Sequence, residues 1–215
     1  MSAKIKSGCL IYRKFHEKTY CLLMVGSAGL ASAQVSNFTG FSGAVNLSAA
    51  STNTKLGKDL QGIGGDNVMA SLQGAYGLEL SSSSVLGLGL TYAAGKSKSG
   101  SFLGDDGDTL SFSVKNQYSL FIEPGTLLSE NTLLYGKISI EKGKSVVSSP
   151  IAANSASKSI SGSGYGVGMR HMLDKTTFLQ VELMKVGYKS FRFPSDTLDI
   201  KASTTLGTIG IGMKF

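Results

Sequence analysis

The sequence predicts an all-β fold, an eight-stranded antiparallel up-and-down transmembrane β-barrel. Apolar and polar residues alternate strictly in eight separate segments, and each segment is 11 to 16 residues long. A tilted strand that crosses a bilayer needs about 9–11 residues, whereas strands of soluble sandwiches have about 5–6. No run of 18 apolar residues is present, so the usual kind of membrane helix is excluded. The segments are 39–49, 68–80, 85–96, 109–123, 132–146, 158–173, 177–191 and 201–215.

The first four segments each have one apolar face and one face that is polar or rich in glycine. Glu79 lies on the polar face of the second segment, Gly87 on that of the third, and Lys115 and Glu123 on that of the fourth. Such alternation is typical of a strand whose two faces meet different environments. The apolar faces are, in order, Phe41, Val45, Leu47 and Ala49; Val68, Ala70, Leu72, Tyr76, Leu78 and Leu80; Leu86, Leu88, Leu90, Tyr92 and Ala94; and Leu110, Phe112, Val114, Tyr118, Leu120 and Ile122.

The last four segments repeat the pattern. Lys137 and Glu141 lie on the polar face of the fifth, Arg170 ends the glycine-rich face of the sixth, and Glu182 lies on the polar face of the seventh. The apolar faces are Leu134, Ile138 and Ile140; Tyr165, Val167, Met169, His171 and Leu173; Leu179, Val181 and Leu183; and Ile209, Ile211, Met213 and Phe215.

The connections between the segments alternate in length. Short turns at one end of a barrel and long loops at the other are typical of barrels in bacterial outer membranes, and an even strand count puts both chain ends on the periplasmic side. The predicted short connections are 81–84, 124–131 and 174–176, and the long ones are 50–67, 97–108, 147–157 and 192–200.

Residues 1–33 have the features of a cleaved secretory signal peptide. Basic residues precede a short apolar run at 21–31, and Ala31-Ser32-Ala33 forms the small-residue pattern of a signal-peptidase site. We therefore predict two parts, the signal peptide 1–33 and an outer-membrane barrel domain 34–215. A membrane-anchor helix remains the alternative for the apolar run.

Composition limits the function of the mature chain. Both cysteines, Cys9 and Cys21, lie in the predicted leader, so no disulfide framework or thiolate site is expected after cleavage. The leader holds five basic residues and one acidic residue, so the formal net charge of +7 falls to +3 for 34–215. No basic cluster is interleaved with aromatic residues, and we predict no nucleic-acid partner.

The inward faces of the predicted barrel are expected to be crowded. An eight-stranded barrel has an interior just wide enough for its own side chains. Glycines on these faces give room to long side chains opposite, and buried charges persist only when they are paired. We predict that Arg170 and Glu182 lie close together, and that the inward charges form a ladder that either locks the lumen shut or lines a narrow, gated path. The predicted ladder is Glu79, Lys115, Glu123, Lys137, Glu141, Arg170 and Glu182.

Both ends of the barrel segment resemble a known family. The run Asn37-Phe38-Thr39-Gly40-Phe41 is similar to the start of small bacterial outer-membrane β-barrels of the opacity and OmpA-like type, although Ser42 stands where that family often has Tyr. The last strand resembles the terminal assembly signal of these proteins. The resemblance implies that the barrel-insertion machinery reads Ile209, Ile211, Met213 and Phe215.

Several functions fit such a barrel. The leading interpretation is a structural, surface-interaction or adhesion protein with outer-membrane lipid around it, a surface ligand at its long loops, and at most weak porin-like passage of small solutes. The alternatives are a barrel-embedded enzyme that modifies lipid or peptide, and a soluble ligand-binding barrel. Barrel lipases use a His–Ser–Glu set, and no serine lies two residues from His171. We therefore predict no enzyme activity and no cofactor. We also predict no metal site, because the acidic turn at 105–108 lacks the spacing of an EF-hand.

The leader makes one prediction. The mature protein should begin at Gln34 and contain no thiol. Intact-mass measurement of protein from the cell envelope checks this, and a mass that retains Cys9 and Cys21 would contradict it.

Overall fold

The computed structural model describes residues 35–56, 60–103, 109–148, 156–190 and 200–215, so the predicted leader and the acidic turn at 105–108 lie outside the described residues. A short 3₁₀ helix, Val35–Phe38, precedes eight strands that form one closed antiparallel barrel in sequential order. The predicted fold class is confirmed. No helix among the described residues is long and apolar enough to cross a membrane. The strands are β1 Gly40–Leu56, β2 Leu60–Ser81, β3 Ser84–Leu103, β4 Thr109–Ser129, β5 Thr132–Ser148, β6 Ala156–Met172, β7 Thr177–Tyr188 and β8 Ile200–Lys214.

The hydrogen-bonded pairing of neighbouring strands is staggered around the barrel. Followed from strand to strand, the register leaves β1 at Gly43 and returns to β1 at Asn53, ten residues further along. Closure of a sheet requires such a stagger and couples it to strand tilt, which is about 35–45° in barrels of this type. β1 and β8 pair along their lengths, so this circuit leaves no open sheet edge.

The outward faces are apolar, as the alternation predicts. Leu88 on β3 is 42% exposed and Ile140 on β5 is 62% exposed, whereas the polar residues between such positions point inward and are buried. A soluble ligand-binding barrel has the opposite arrangement, with apolar residues inside. The exposed side chains therefore form a belt that suits hydrocarbon, and tyrosines lie along its outer border at Tyr92, Tyr118 and Tyr165.

Several strands are longer than predicted, and two of the four predicted long loops, 50–67 and 97–108, are mostly strand. β1 and β2 take up nearly all of the expected loop 50–67, β3 continues through Leu103, and β4 continues to Ser129. The physical reason is that alternation of hydrophobicity stops where a strand leaves hydrocarbon, while backbone pairing continues beyond that point. At 22 and 21 residues, β2 and β4 are about twice the length needed to cross a bilayer.

A bulge at Asn116 of β4 reverses which side chains face the lumen in the part of the strand that precedes it. Asn116 has a φ of 50°, and the β4–β5 register shifts by one residue between Lys115 and Tyr118. A one-residue shift moves every following side chain to the other face. Val114 pairs with buried Ser145 and faces the lumen, whereas Lys115 pairs with exposed Lys144 and faces outward. The prediction that Lys115 belongs to the lumen ladder is therefore wrong.

Short turns close the end that holds the first and last described residues. They span 82–83, 130–131 and 173–176. In the last turn, the backbone N–H groups of Thr176 and Thr177 each donate to Asp174 Oδ1 at 2.8 Å, and these bonds lower the pKa of Asp174 to about 2. The Phe215 N–H also donates to the Phe41 carbonyl at 2.9 Å, which fixes the end of the chain to β1. The short turns, together with the positions of residues 35 and 215 at this end of the barrel, identify this side as the periplasmic one.

Inward glycines have the packing role that the sequence suggests. A Cβ on Gly168 would collide with the Tyr135 ring, and one on Gly212 would collide with the Phe178 ring. A Cβ on Gly164 would collide in the same way with the Ser139 hydroxyl. Glycine weakens a strand, so these positions are explained by the bulky side chains that they accommodate.

The orientation of the faces predicts the effect of a charge in the belt. Leu88→Arg should destabilise the inserted barrel by about 2–4 kcal/mol, because it places a guanidinium in lipid near the membrane centre. Ser51→Arg is the matched control, because Ser51 faces outward beyond the belt and pairs in register with exposed Asp66. Unfolding of both variants in lipid vesicles checks this, and equal stability would contradict the assigned faces.

Candidate functional site: the sealed lumen

Four charged side chains from β4 to β7 meet inside the barrel. Lys137 Nζ lies 2.8 Å from Glu182 Oε2 and 3.2 Å from Glu123 Oε1. Arg170 Nη2 lies 3.3 Å from the second oxygen of Glu123. All four residues are between 3% and 7% exposed. Two cations and two carboxylates balance, which is the condition under which buried charges persist.

Amide side chains extend this network across the barrel. The Gln180 Oε1 atom accepts bonds from Arg170 Nε and Nη2 at 3.3 and 3.1 Å. The Gln180 amide nitrogen donates to Asn46 Oδ1 at 2.8 Å and to Gln73 Oε1 at 3.3 Å. The polar network thus runs from β4 through β7 to β1 and β2 and spans the lumen.

Aromatic rings support the charged groups. The Tyr135 hydroxyl donates to Glu182 Oε2 at 3.3 Å. Lys137 Nζ lies 4.1 Å from the centroid of the Phe121 ring, and the Arg170 guanidinium lies 4.8 Å from that of Phe178. A cation over an aromatic face gains electrostatic energy when water is excluded, so these rings replace part of the lost hydration.

An apolar plug lies at the periplasmic end. Its members are buried together, and two of them, Val35 and Phe38, come from the short helix before β1. Arg170 joins the plug to the polar network, since it contacts the Phe178 ring and pairs with Glu123. The plug consists of Val35, Phe38, Ala44, Val85, Leu127, Leu133, Tyr135, Met172 and Phe178.

A cavity of about 120 Å³ lies on the other side of the network. Lys137 and Glu182 form part of its lining, together with small polar residues such as Ser48 and Thr52 and apolar ones such as Val186. The Ser48 and Thr52 hydroxyls pair with Thr208 and Thr204 of β8 at 2.8 and 3.0 Å. Within the described residues, the cavity ends at the charged network and does not continue to the periplasmic side.

The remaining predicted ladder residues lie elsewhere. Glu141 is partly buried, lines the cavity and accepts a 2.6 Å bond from the Ser139 hydroxyl, but it forms no ion pair with a described residue. Glu79 is exposed and lies two residues before β2 ends at the turn 82–83. Arg170 and Glu182 do not pair directly, because the register places Gln180 opposite Arg170.

Sequence reasoning missed the neutral members of the network. Asn46, Gln73, Tyr135 and Gln180 all lie on predicted inward faces, but only charges were assigned to the ladder. They could have been identified as amide or phenol side chains at inward positions. Such a group is buried in the lumen, and a buried polar group must have a hydrogen-bond partner.

The four predicted assembly residues lie on the outward face of β8. Ile209, Ile211 and Met213 are each more than half exposed, and Phe215 is 82% exposed. Their outward direction fits the lipid belt. Recognition of these residues during insertion remains a prediction.

Together, the apolar belt, the closed eight-stranded sheet and the polar lumen define an integral membrane β-barrel. The family described as outer membrane protein beta-barrel domain matches residues 20–215, and the chain belongs to this family. It is thus a protein of the bacterial outer membrane. No curated protein matches the chain.

Several solved structures are similar to this chain. Neisserial surface protein A, with 11% identity, has a TM-score of 0.51 over 80% of this chain and 97% of that one. The attachment invasion locus protein Ail of Yersinia pestis, with 18% identity, has a TM-score of 0.49 over 82% of this chain and 100% of its own. OprG of Pseudomonas aeruginosa, with 14% identity, has a TM-score of 0.49 over 82% and 96%. At these identities the likeness concerns the fold alone.

The network predicts a large effect for Lys137→Met. This change leaves Glu123 and Glu182 buried without their shared cation, which should cost roughly 3–5 kcal/mol of unfolding free energy. The matched control is Lys55→Met, at an exposed lysine of β1, and should change stability by less than about 0.5 kcal/mol. Urea unfolding in vesicles, monitored by heat-modifiable gel migration, measures the stability of both variants. Equal stability of the two variants would contradict the assigned pairing.

Proposed function

We propose that the protein is a structural and surface-interaction barrel whose lumen is sealed against steady conduction. The observation that carries this proposal is the double closure of the lumen, a charge-balanced network above an apolar plug. Water or ions crossing the barrel would have to displace side chains that are nearly fully buried. Passage of small solutes is therefore limited to brief openings.

The outer end of the barrel supports the surface role. β2 and β4 are longer than a bilayer crossing requires, so their outer parts project beyond the membrane. The cavity faces the same side and ends at the network. We propose that contacts with surface ligands are made at this outer end and not through the lumen.

The proposal gives the barrel no catalytic role. His171 is exposed on the outward face near the periplasmic turns, where its Nδ1 lies 2.9 Å from the Thr132 hydroxyl. Neither residue faces the lumen, and the pair has no carboxylate in contact among the described residues. A triad would need a carboxylate that orients the imidazole.

The final strand supports a second part of the proposal. Its exposed apolar residues and terminal Phe215 fit recognition by the barrel-insertion machinery, as the family resemblance implies. The Phe215 ring also lies over Gly43 of β1, so the same residue helps to close the barrel.

Single-channel recording in planar bilayers tests the seal. The wild-type protein should give no large, steady conductance. Arg170→Ala should open more often, because Arg170 contacts both the network and the plug. Lys55→Ala, which removes an exposed charge, should behave like the wild type at matched protein insertion.

Two outcomes would overturn the proposal. Large, steady, ion-selective currents from the wild type would make the protein a porin. Identical behaviour of the wild type and Arg170→Ala, with equal stability, would show that the network is not the seal.

A further inference from the structure

A group of lysines surrounds the outer part of β6 on the lipid-facing side. Lys142 and Lys144 on β5, with Lys185 on β7 and Lys189 just after it, form this lysine frame, and all four are exposed. Lys142 pairs in register with Ser161 of β6, and the Lys189 N–H donates to the Ser161 carbonyl at 2.9 Å. Lys142 and Lys189 therefore flank one serine, roughly 10 Å apart, since neighbouring strands are about 4.8 Å apart.

The frame begins where the apolar belt ends. Lys142 follows Ile140 on the outward face of β5, and its neighbour on β4 is Tyr118. Lys185 follows Leu183 on β7, and its neighbour on β6 is Tyr165. Tyrosines of this kind mark the membrane–water interface, so the lysines lie at the depth of lipid head groups.

The lysines of the frame form no ion pair with any residue that the structure describes. The outward residues of β6 between them are small and hydroxylated, namely Ser159, Ser161 and Ser163. Small side chains leave space between the two pairs of lysines, and hydroxyl groups offer hydrogen bonds to phosphate oxygens. The surface thus complements a phosphorylated group.

An apolar groove of about 520 Å³ lies on the same strands, on the hydrocarbon side of the frame. It exists partly because Gly207 of β8 faces outward next to Leu183 and offers no side chain. A Cβ built on Gly207 would lie 3.7 Å from Leu183 Cδ2, so the position has room for a larger residue. Its apolar side chains are those of Leu134, Val167, Met169, Val181, Leu183 and Ile209, and Gly168, Glu182, Gly207 and Thr208 also border it.

We propose that this face of β5–β8 binds one phosphorylated glycolipid of the outer leaflet. The lysine frame holds its phosphates, and the groove holds one of its acyl chains. Two features indicate a lipid. The lysines complement its phosphates, and the groove lies next to them on the hydrocarbon side, where a soluble anion would make no use of it. The proposed site lies on the outward, lipid-facing side of these strands, and the proposal does not depend on the seal.

The experiment uses the full chain in phosphatidylcholine nanodiscs that contain a small fraction of diphosphorylated lipid A. Native mass spectrometry after detergent release counts the retained lipid. The wild type should retain one lipid A molecule and should not retain the same lipid without its phosphates. Lys142→Gln combined with Lys189→Gln should weaken retention roughly fivefold for each lysine removed.

Two further variants separate charge from shape. Lys55→Gln combined with Lys175→Gln removes the same charge at exposed positions on β1 and in the periplasmic turn, and should retain the lipid as the wild type does. Gly207→Leu fills the groove without touching a lysine, and should also lower retention.

Three results would overturn the proposal. One is equal retention by the Lys142/Lys189 variant and its control, which would make the attraction nonspecific. Another is retention of the dephosphorylated lipid at the wild-type level. The third is unchanged retention by Gly207→Leu, which would show that the groove does not hold an acyl chain.

Discussion

A sheet that closes in hydrocarbon must satisfy its whole backbone internally and must also fill the space that it encloses. With eight strands and a stagger of ten residues, that space is about as wide as two facing side chains. Here it is filled by Glu123, Lys137, Arg170 and Glu182. Removal of any one would leave an unbalanced charge, and the remaining features of the lumen follow from keeping these four together.

The glycines, amides and rings around the network are consequences of that requirement. The bulky rings of Tyr135 and Phe178 need glycine opposite them, which explains why Gly168 and Gly212 lie within β6 and β8. Gln180 accepts bonds from Arg170 Nε and from Nη2, the nitrogen that also pairs with Glu123, and its amide nitrogen donates to Asn46 of β1. One set of pairings thus joins strands that are distant in sequence, which favours a single register over slipped alternatives.

Alternation of apolar and polar residues was sufficient to predict the strand count, the closed topology and the outward belt, because lipid imposes a period of two on every strand. It did not predict where the strands end, because β2 and β4 continue beyond the membrane. There the two faces of a strand no longer meet different environments, so the alternation stops while the pairing goes on. The inward assignment of Lys115 failed for a local reason, since the bulge at Asn116 leaves the composition of β4 unchanged while reversing its faces. Partners inside the lumen depend on the register between strands, so Arg170 and Glu182 were correctly placed in the lumen but wrongly paired with each other.

The central claim is that charge balance in the lumen holds the barrel in one arrangement. A double-mutant cycle on Lys137→Met and Glu182→Gln tests it most directly, because the double variant leaves the Glu123–Arg170 pair intact and balanced. The claim predicts that the double variant is more stable than the sum of the single effects implies, by at least about 1 kcal/mol of unfolding free energy in vesicles. Effects that add to within about 0.5 kcal/mol would contradict it.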